Sequence, residues 1–346
     1  MKEIDILSLA RENIRSLKPY SSARDDFNGS ASVFLDANEN PFPNSFNRYP
    51  DPHQKILKEA ITKIKNISVY QLFLGNGSDE AIDLLFRVFC EPGRDSVIIP
   101  QPTYGMYSVS AAINHVKIIS ITLTPAFELD ALSVLGTVTA QTKMIFLCSP
   151  NNPSGNLLKE AEIEYLLNKF SGLVVVDEAY IDFTESKSWS TRLQEFQNLV
   201  ILQTFSKAWG LAGLRLGMCL AHPEIIKLLN KVKPPYNINA FTQSEALKAI
   251  TSDGAQKAQW VAAIRKERDN LRKSLSSVPS VKRIYPSEAN FLLAEVADAG
   301  NLYGQLVTKG IIVRDRSKVI LCNNCLRITV GTPEENSLLI QAMRAL

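Results

Sequence analysis

The sequence predicts an α/β protein with a mostly parallel seven-stranded sheet flanked by helices, followed by a smaller α/β domain. Three observations predict it. Seven short apolar runs rich in Val and Ile recur between residues 72 and 221. They are apolar on both faces, as expected for strands buried from both sides. Helical patterns alternate with them, the order of parallel strands joined by crossover helices. After Pro234-Pro235-Tyr236 the pattern shifts to long helices and a few strands. At 346 residues the chain has room for more than one core.

Taken in order, residues 4–17 read as a helix with Ile4, Leu7, Ile14 and Leu17 apolar, stopped near Pro19. Residues 18–32 read as an extended arm, and Val33–Leu35 as a strand entering the polar loop Asp36–Pro41. Two prolines stiffen the turn Arg48-Tyr49-Pro50-Asp51-Pro52. A helix over 53–65 follows, with Ile56, Leu57, Ile61 and Ile64 on one face. Strands are expected at Leu72–Leu74, Ser96–Ile99, Val116–Ile121, Met144–Cys148, Leu173–Val176, Val200–Gln203 and Leu216–Ala221. Between and after them helices are expected at 79–90, 103–113, 128–137, 159–169 and 222–231. Beyond Tyr236 come helices at 239–251 and 255–277 and strands at Val281–Ile284 and Ala289–Val296. A helix at 301–309, strands at Ile311–Val313 and Leu326–Val330, and a last helix from 333 complete the chain. The expected division is an arm, 1–32, packing with the small domain; a large domain, 33–235; and a small domain, 236–346.

Bulk composition narrows the function. Lys plus Arg number 38 against 35 Asp plus Glu, and no basic run is long, so nucleic acid is not an expected partner. No apolar run could span a bilayer, and the first residues lack the apolar stretch of a signal peptide. Five cysteines, an odd and sparse set, suit reduced thiols in a cytoplasmic protein. Cys322 and Cys325 have metal-site spacing but no second pair and no nearby His, so a chance pair in a loop is expected and no metal.

The chemistry centres on Thr204–Gly217, where Lys207 sits among small and apolar neighbours, between Ser206 and Arg215. A desolvated lysine yields a neutral amine, which can form a Schiff base with a carbonyl. Ser206 and Arg215 suit a phosphate. A carbonyl compound carrying a phosphate is pyridoxal phosphate (PLP). Taken alone, the segment reads more readily as a surface lysine in a glycine-rich turn. Other strand ends add to it, since parallel sheets gather ligands there. Gly75-Asn-Gly77-Ser78-Asp79 opens a helix whose free N–H groups could bind phosphate, or is a plain capped start. Ser149–Gly155 places Asn152 after a buried strand, as a donor or as part of an ordinary turn. Asp177 ends another, where a carboxylate is costly unless it meets a cation such as a protonated pyridine, or else caps a loop. Tyr180 follows three residues on. Arg327 interrupts an apolar strand and suits a ligand carboxylate or an internal ion pair.

Together the motifs resemble the class I/II aminotransferases of the aspartate aminotransferase fold, PLP-dependent fold type I, and within them the histidinol-phosphate branch. The resemblance runs from Asp36-Ala-Asn-Glu-Asn-Pro41 through Arg48-Tyr-Pro-Asp51, Gly75–Glu80, Pro102-Thr-Tyr104, Ser149–Gly155, Val176–Tyr180 and Thr204–Gly217 to Leu326–Gly331. Ser154 stands where the family often has Thr. The resemblance implies that Lys207 carries PLP as a Schiff base and moves the Cα proton. It implies that Asp177 pairs with the ring nitrogen, Asn152 and Tyr180 with the ring oxygen, and that Tyr104 stacks on the ring. Gly77, Ser78, Asp79, Ser206 and Arg215 would hold the phosphate, with Tyr49 reaching it from the other subunit of a homodimer. Arg327 would hold the carboxylate of glutamate or, with Arg314 and Tyr20, the phosphate of histidinol phosphate, in a substrate pocket that includes Asn38. Aromatic amino-acid transamination and PLP lyase activity, such as threonine-phosphate decarboxylation, are the alternatives.

Overall fold

Seven strands build the main sheet of the computed structural model, which describes residues 4–21, 31–252 and 254–345. They are β1 Leu72–Asn76, β2 Ser96–Gln101, β3 Lys117–Thr122, β4 Thr142–Cys148, β5 Leu173–Asp177, β6 Leu199–Thr204 and β7 Leu216–Ala221. Each overlaps an expected run. Their order is β1-β7-β6-β5-β4-β2-β3. Strands β2 to β6 pair in parallel, while β7 is antiparallel to both β1 and β6. The reversal has a simple cause. Residues 205–215 are too few for a crossover helix, so the chain must turn straight back.

Both faces of the sheet are buried. Ile98, Ile145, Val174, Val176 and Ile201 belong to one apolar cluster, and Val97, Met144, Phe146, Val175 and Leu202 to another. Successive side chains on one strand join opposite clusters, as the two-residue repeat of a pleated strand requires. The edge strand β3 is half-exposed.

Four more strands, β8 Val281–Ile284, β9 Phe291–Val296, β10 Arg314–Asp315 and β11 Cys325–Thr329, form an antiparallel sheet in the order β10-β11-β9-β8. Helices Gly254–Leu275, Ala299–Thr308 and Pro333–Arg344 share its core.

Three expectations change on contact with the structure. Val33–Leu35 forms no strand, because no neighbouring strand offers it a hydrogen-bond ladder, and Val33 and Leu35 stay exposed. The strand expected at Ile311–Val313 lies at Arg314–Asp315, where the backbone meets β11. The first helix splits into Ile6–Leu9 and Glu12–Ser16, since the Arg11 N–H donates to the Val88 carbonyl (2.9 Å). Ile6, Ala10 and Ile14 share a core with Val88, Ile225 and Leu229. The apolar face of residues 4–16 thus lies against helices of the large sheet rather than against the small one. Most of the expected arm, residues 22–30, lies outside the described residues. Among the described residues no helix is long and apolar enough to cross a membrane.

Candidate active site

The carboxyl ends of β4, β5 and β6 open on a cavity of about 160 Å³. Gly77, Ser78, Asp79, Tyr104, Asn152, Asp177, Tyr180, Ser206, Lys207 and Arg215 all line it. Cys148, Ala179, Thr204 and Ala212 line it too.

One end suits an anion. The helix Gly77–Phe89 starts there, and no side chain caps it, because the Asn76 carboxamide donates to the Asn237 carbonyl instead. Past the Gly77 N–H, which the Arg215 carbonyl takes, its first N–H groups are left for a ligand. Arg215 stands beside this helix start in the left-handed backbone region (φ 53°), which costs free energy for a residue with a Cβ. That conformation lets its carbonyl accept from the Gly77 N–H (2.7 Å). A Cβ on Gly217 would lie 2.1 Å from the Ser78 nitrogen, so β7 can meet the helix start only through glycine. Gly77 has φ 71°, which a side chain would strain, and a Cβ there would also push on the Arg215 guanidinium (2.8 Å). Ser206 Oγ accepts from Thr204 Oγ1 (3.0 Å), and Tyr104 donates to Asp79 (3.1 Å).

The other end holds Asp177, the last residue of β5 and nearly fully buried. Its Oδ1 accepts from the Ala179 N–H (3.0 Å) and its Oδ2 from the Tyr107 hydroxyl (2.6 Å). Burial pushes this carboxyl up to about 6, against the pull of the two hydrogen bonds. No cation lies within ion-pair reach among the described residues. Such an acid gains by meeting one.

Lys207 lines the same cavity and is exposed. Its Nζ lies 5.7 Å from the centre of the Tyr180 ring. Partial burial, and then the Arg327 guanidinium, hold its ammonium below the ordinary lysine value. Tyr180 is buried, packed edge-on to Phe291 at 5.2 Å, and burial raises its phenol well above the usual range.

Arg327 comes from β11 of the small sheet and donates to the Asn152 carboxamide (2.5 Å), joining the two sheets at the cavity rim. Burial holds its guanidinium below the ordinary arginine value, and Arg314, its partner in the strand ladder, adds to that. Arg316 is a third guanidinium of this cluster, lowered by burial and by Arg327 and Arg314, and its buried Nε has no hydrogen-bond partner. Three clustered cations without a bonded carboxylate among the described residues suit an anionic ligand.

Three expected residues lie elsewhere, and a fourth sits at the exposed edge of the guanidinium cluster. Tyr49 stacks on Tyr236 (4.4 Å between centroids) and, with Asn38, lines a separate cavity beside Asn239. Tyr20 is exposed, and Arg314 lies on the exposed side of β10. Two residues escaped the sequence reading. They are Tyr107, inside the helix expected at 103–113, and Arg316, two residues past Arg314.

The class I and II aminotransferase family model matches residues 31–343. A histidinol-phosphate aminotransferase of Cytophaga hutchinsonii is 53% identical over 341 residues, covering 97% of this chain and 98% of that protein. The crystal structure of the histidinol-phosphate aminotransferase from Clostridium acetobutylicum superposes with a TM-score of 0.80 at 23% identity, over 87% of this chain and 90% of that one. That of Sinorhizobium meliloti, in complex with pyridoxal-5'-phosphate, gives 0.77 at 21% identity, over 86% of this chain and 82% of that one. By the span of the family match and the identity of its relatives, the chain belongs to the class I and II aminotransferases.

Proposed function

We propose that the protein is a PLP-dependent histidinol-phosphate aminotransferase, moving an amino group between glutamate and imidazole-acetol phosphate. The observation that carries it is one cavity lined by an amine, an anion cradle and a buried acid with no ion-pair partner among the described residues. The full-length likeness to the Cytophaga enzyme supports the choice of substrate.

The residues fit the cofactor. The uncapped helix start, Ser206 and Arg215 would hold its phosphate, and Asp177 its ring nitrogen. Asn152 and Tyr180 would hold the ring oxygen, while Tyr104 covers a face. When bound, PLP supplies a carbonyl for amine exchange and a protonated ring that accepts electrons. Asp177 keeps the proton on the ring nitrogen, because a buried carboxylate is stabilised by a cation against it. Lys207 takes the proton from the substrate Cα, and its lowered proton affinity leaves a neutral amine available for that. Arg327 binds the carboxylate of glutamate or, with Arg314 and Tyr20, the phosphate of histidinol phosphate.

The division into a large domain, 33–235, and a small one, 236–346, belongs to this reading. So does a homodimer in which Tyr49 meets the partner's cofactor phosphate. Val33, Leu35, Phe42, Phe46 and Tyr49 are exposed, and a second copy would cover them. A monomer in sedimentation would refute that arrangement. The substrate is tested by supplying 2-oxoglutarate with histidinol phosphate, phenylalanine or threonine phosphate. Glutamate should form fastest with histidinol phosphate. Carbon dioxide from threonine phosphate, or a preference for phenylalanine, would overturn the reading.

A further inference from the structure

Tyr107 has no exposed surface, and its hydroxyl spends its proton on Asp177 Oδ2 at 2.6 Å. Its ring is clamped: it stacks on Phe146 (5.1 Å, 24°) and meets Tyr104 edge-on (5.5 Å, 83°). Phe146 stacks in turn on Phe86, from the helix whose start forms the anion cradle. A rigid aromatic column therefore runs from the phosphate helix to the acid. It holds the phenol oxygen against Asp177 Oδ2.

We propose that Tyr107 is a positioning residue, whose hydroxyl holds Asp177 Oδ2 and keeps the carboxylate ionised and aimed at the ring nitrogen of the cofactor. This rests on the PLP reading. A donor on an anion favours the anion. The other groups facing the acid do less or act against it. The Ala179 N–H on Oδ1 helps, Asp79 from the helix start opposes it, and Lys207 is a weaker aid. Cys148, at the end of β4, and Tyr180 are uncharged neighbours whose own ionisation burial suppresses. The phenol is thus the strongest of the side-chain hydrogen bonds and charges that hold the acid's proton affinity down. A donor bond to a charged group of this kind corresponds to about one pH unit in the titration midpoint, a tenfold change in proton affinity.

The test follows the Asp177 carboxyl by ¹³C NMR in PLP-free full-length protein, with Asp177→Asn identifying the signal. The Tyr107→Phe protein should titrate about one unit above the wild type and bind PLP about tenfold more weakly. Phe146→Leu loosens the same column but leaves the hydroxyl in place, and should raise the midpoint less than Tyr107→Phe does. Protein grown on fluorotyrosine, whose phenols donate more strongly, should titrate lower than the wild type, and it does not depend on a folded Phe variant. An unmoved midpoint in Tyr107→Phe or with fluorotyrosine, an equal shift in Phe146→Leu, or unchanged PLP affinity overturns the proposal. Failure of the wild type to bind PLP would instead sink the cofactor reading, whatever the titration shows.

Discussion

Replacing Asp177 with Asn separates what the acid does for the fold from what it does for the reaction. Burial pushes the carboxyl from an ordinary value near 3.8 up to about 6. A raised value means that the folded chain binds this proton more tightly than the unfolded chain does. Between pH 3.8 and 6 the unfolded chain releases its proton first. Stability from this group therefore falls as pH rises through that window, and stays low above it. At about 1.36 kcal/mol per unit, the gap costs the cofactor-free protein about 3 kcal/mol at pH 7.5 and about 1 kcal/mol at pH 4.5. Asparagine carries no charge and keeps an oxygen for the Ala179 N–H. The Asp177→Asn protein should thus gain up to about 3 kcal/mol at pH 7.5 over the wild type, and less as the pH falls. With an unfolding entropy of about 2.1 cal/mol/K per residue, a chain of this length should melt about 4 °C higher. Calorimetry of PLP-stripped protein at the two pH values measures it. The same variant should lose PLP affinity and transamination. A variant less stable than the wild type at pH 7.5, or a difference that ignores pH, refutes the claim that a charge is held there at the expense of the fold.

Other perturbations test the remaining parts of the site. Lys207→Ala should abolish the absorbance of covalently held cofactor and slow turnover by at least about 10²–10⁴-fold, and a retained band would exclude this lysine as the attachment point. Arg314→Ala should raise KM for histidinol phosphate by about ten- to a hundredfold while glutamate suffers much less, whereas equal losses would argue against a phosphate contact. Gly217→Ala places a Cβ 2.1 Å from the Ser78 nitrogen, so it should cost about 1–3 kcal/mol in stability and weaken PLP binding. A neutral effect there would mean that the helix start can shift freely.

Much of the large sheet was legible because its strands are buried on both faces, which leaves unbroken Val/Ile runs such as Leu173–Val176. The direction of β7 was not, since a two-residue repeat reads the same both ways and only the length of the preceding loop sets the turn. Val33–Leu35 misled because three apolar residues mark a strand only where a partner edge waits. In the site, Lys207, Asp177 and Asn152 were legible from their places at strand ends in Gly- and Pro-bounded loops. Tyr107 was not, since its partner lies 70 residues away and a buried phenol looks like core from sequence. Arg316 was masked by Asp315, whose carboxylate turns instead to Ser317.

The backward run of β7 carries a mechanical consequence. A single hairpin supplies both the amine and the guanidinium proposed to hold the cofactor, with its return limb pinned to the Gly77 amide. The spacing between those two groups is therefore a property of one short peptide rather than of how the lobes happen to sit. Loops elsewhere can lengthen or drift without detuning it, while one residue added within 208–214 would disturb both anchors at once.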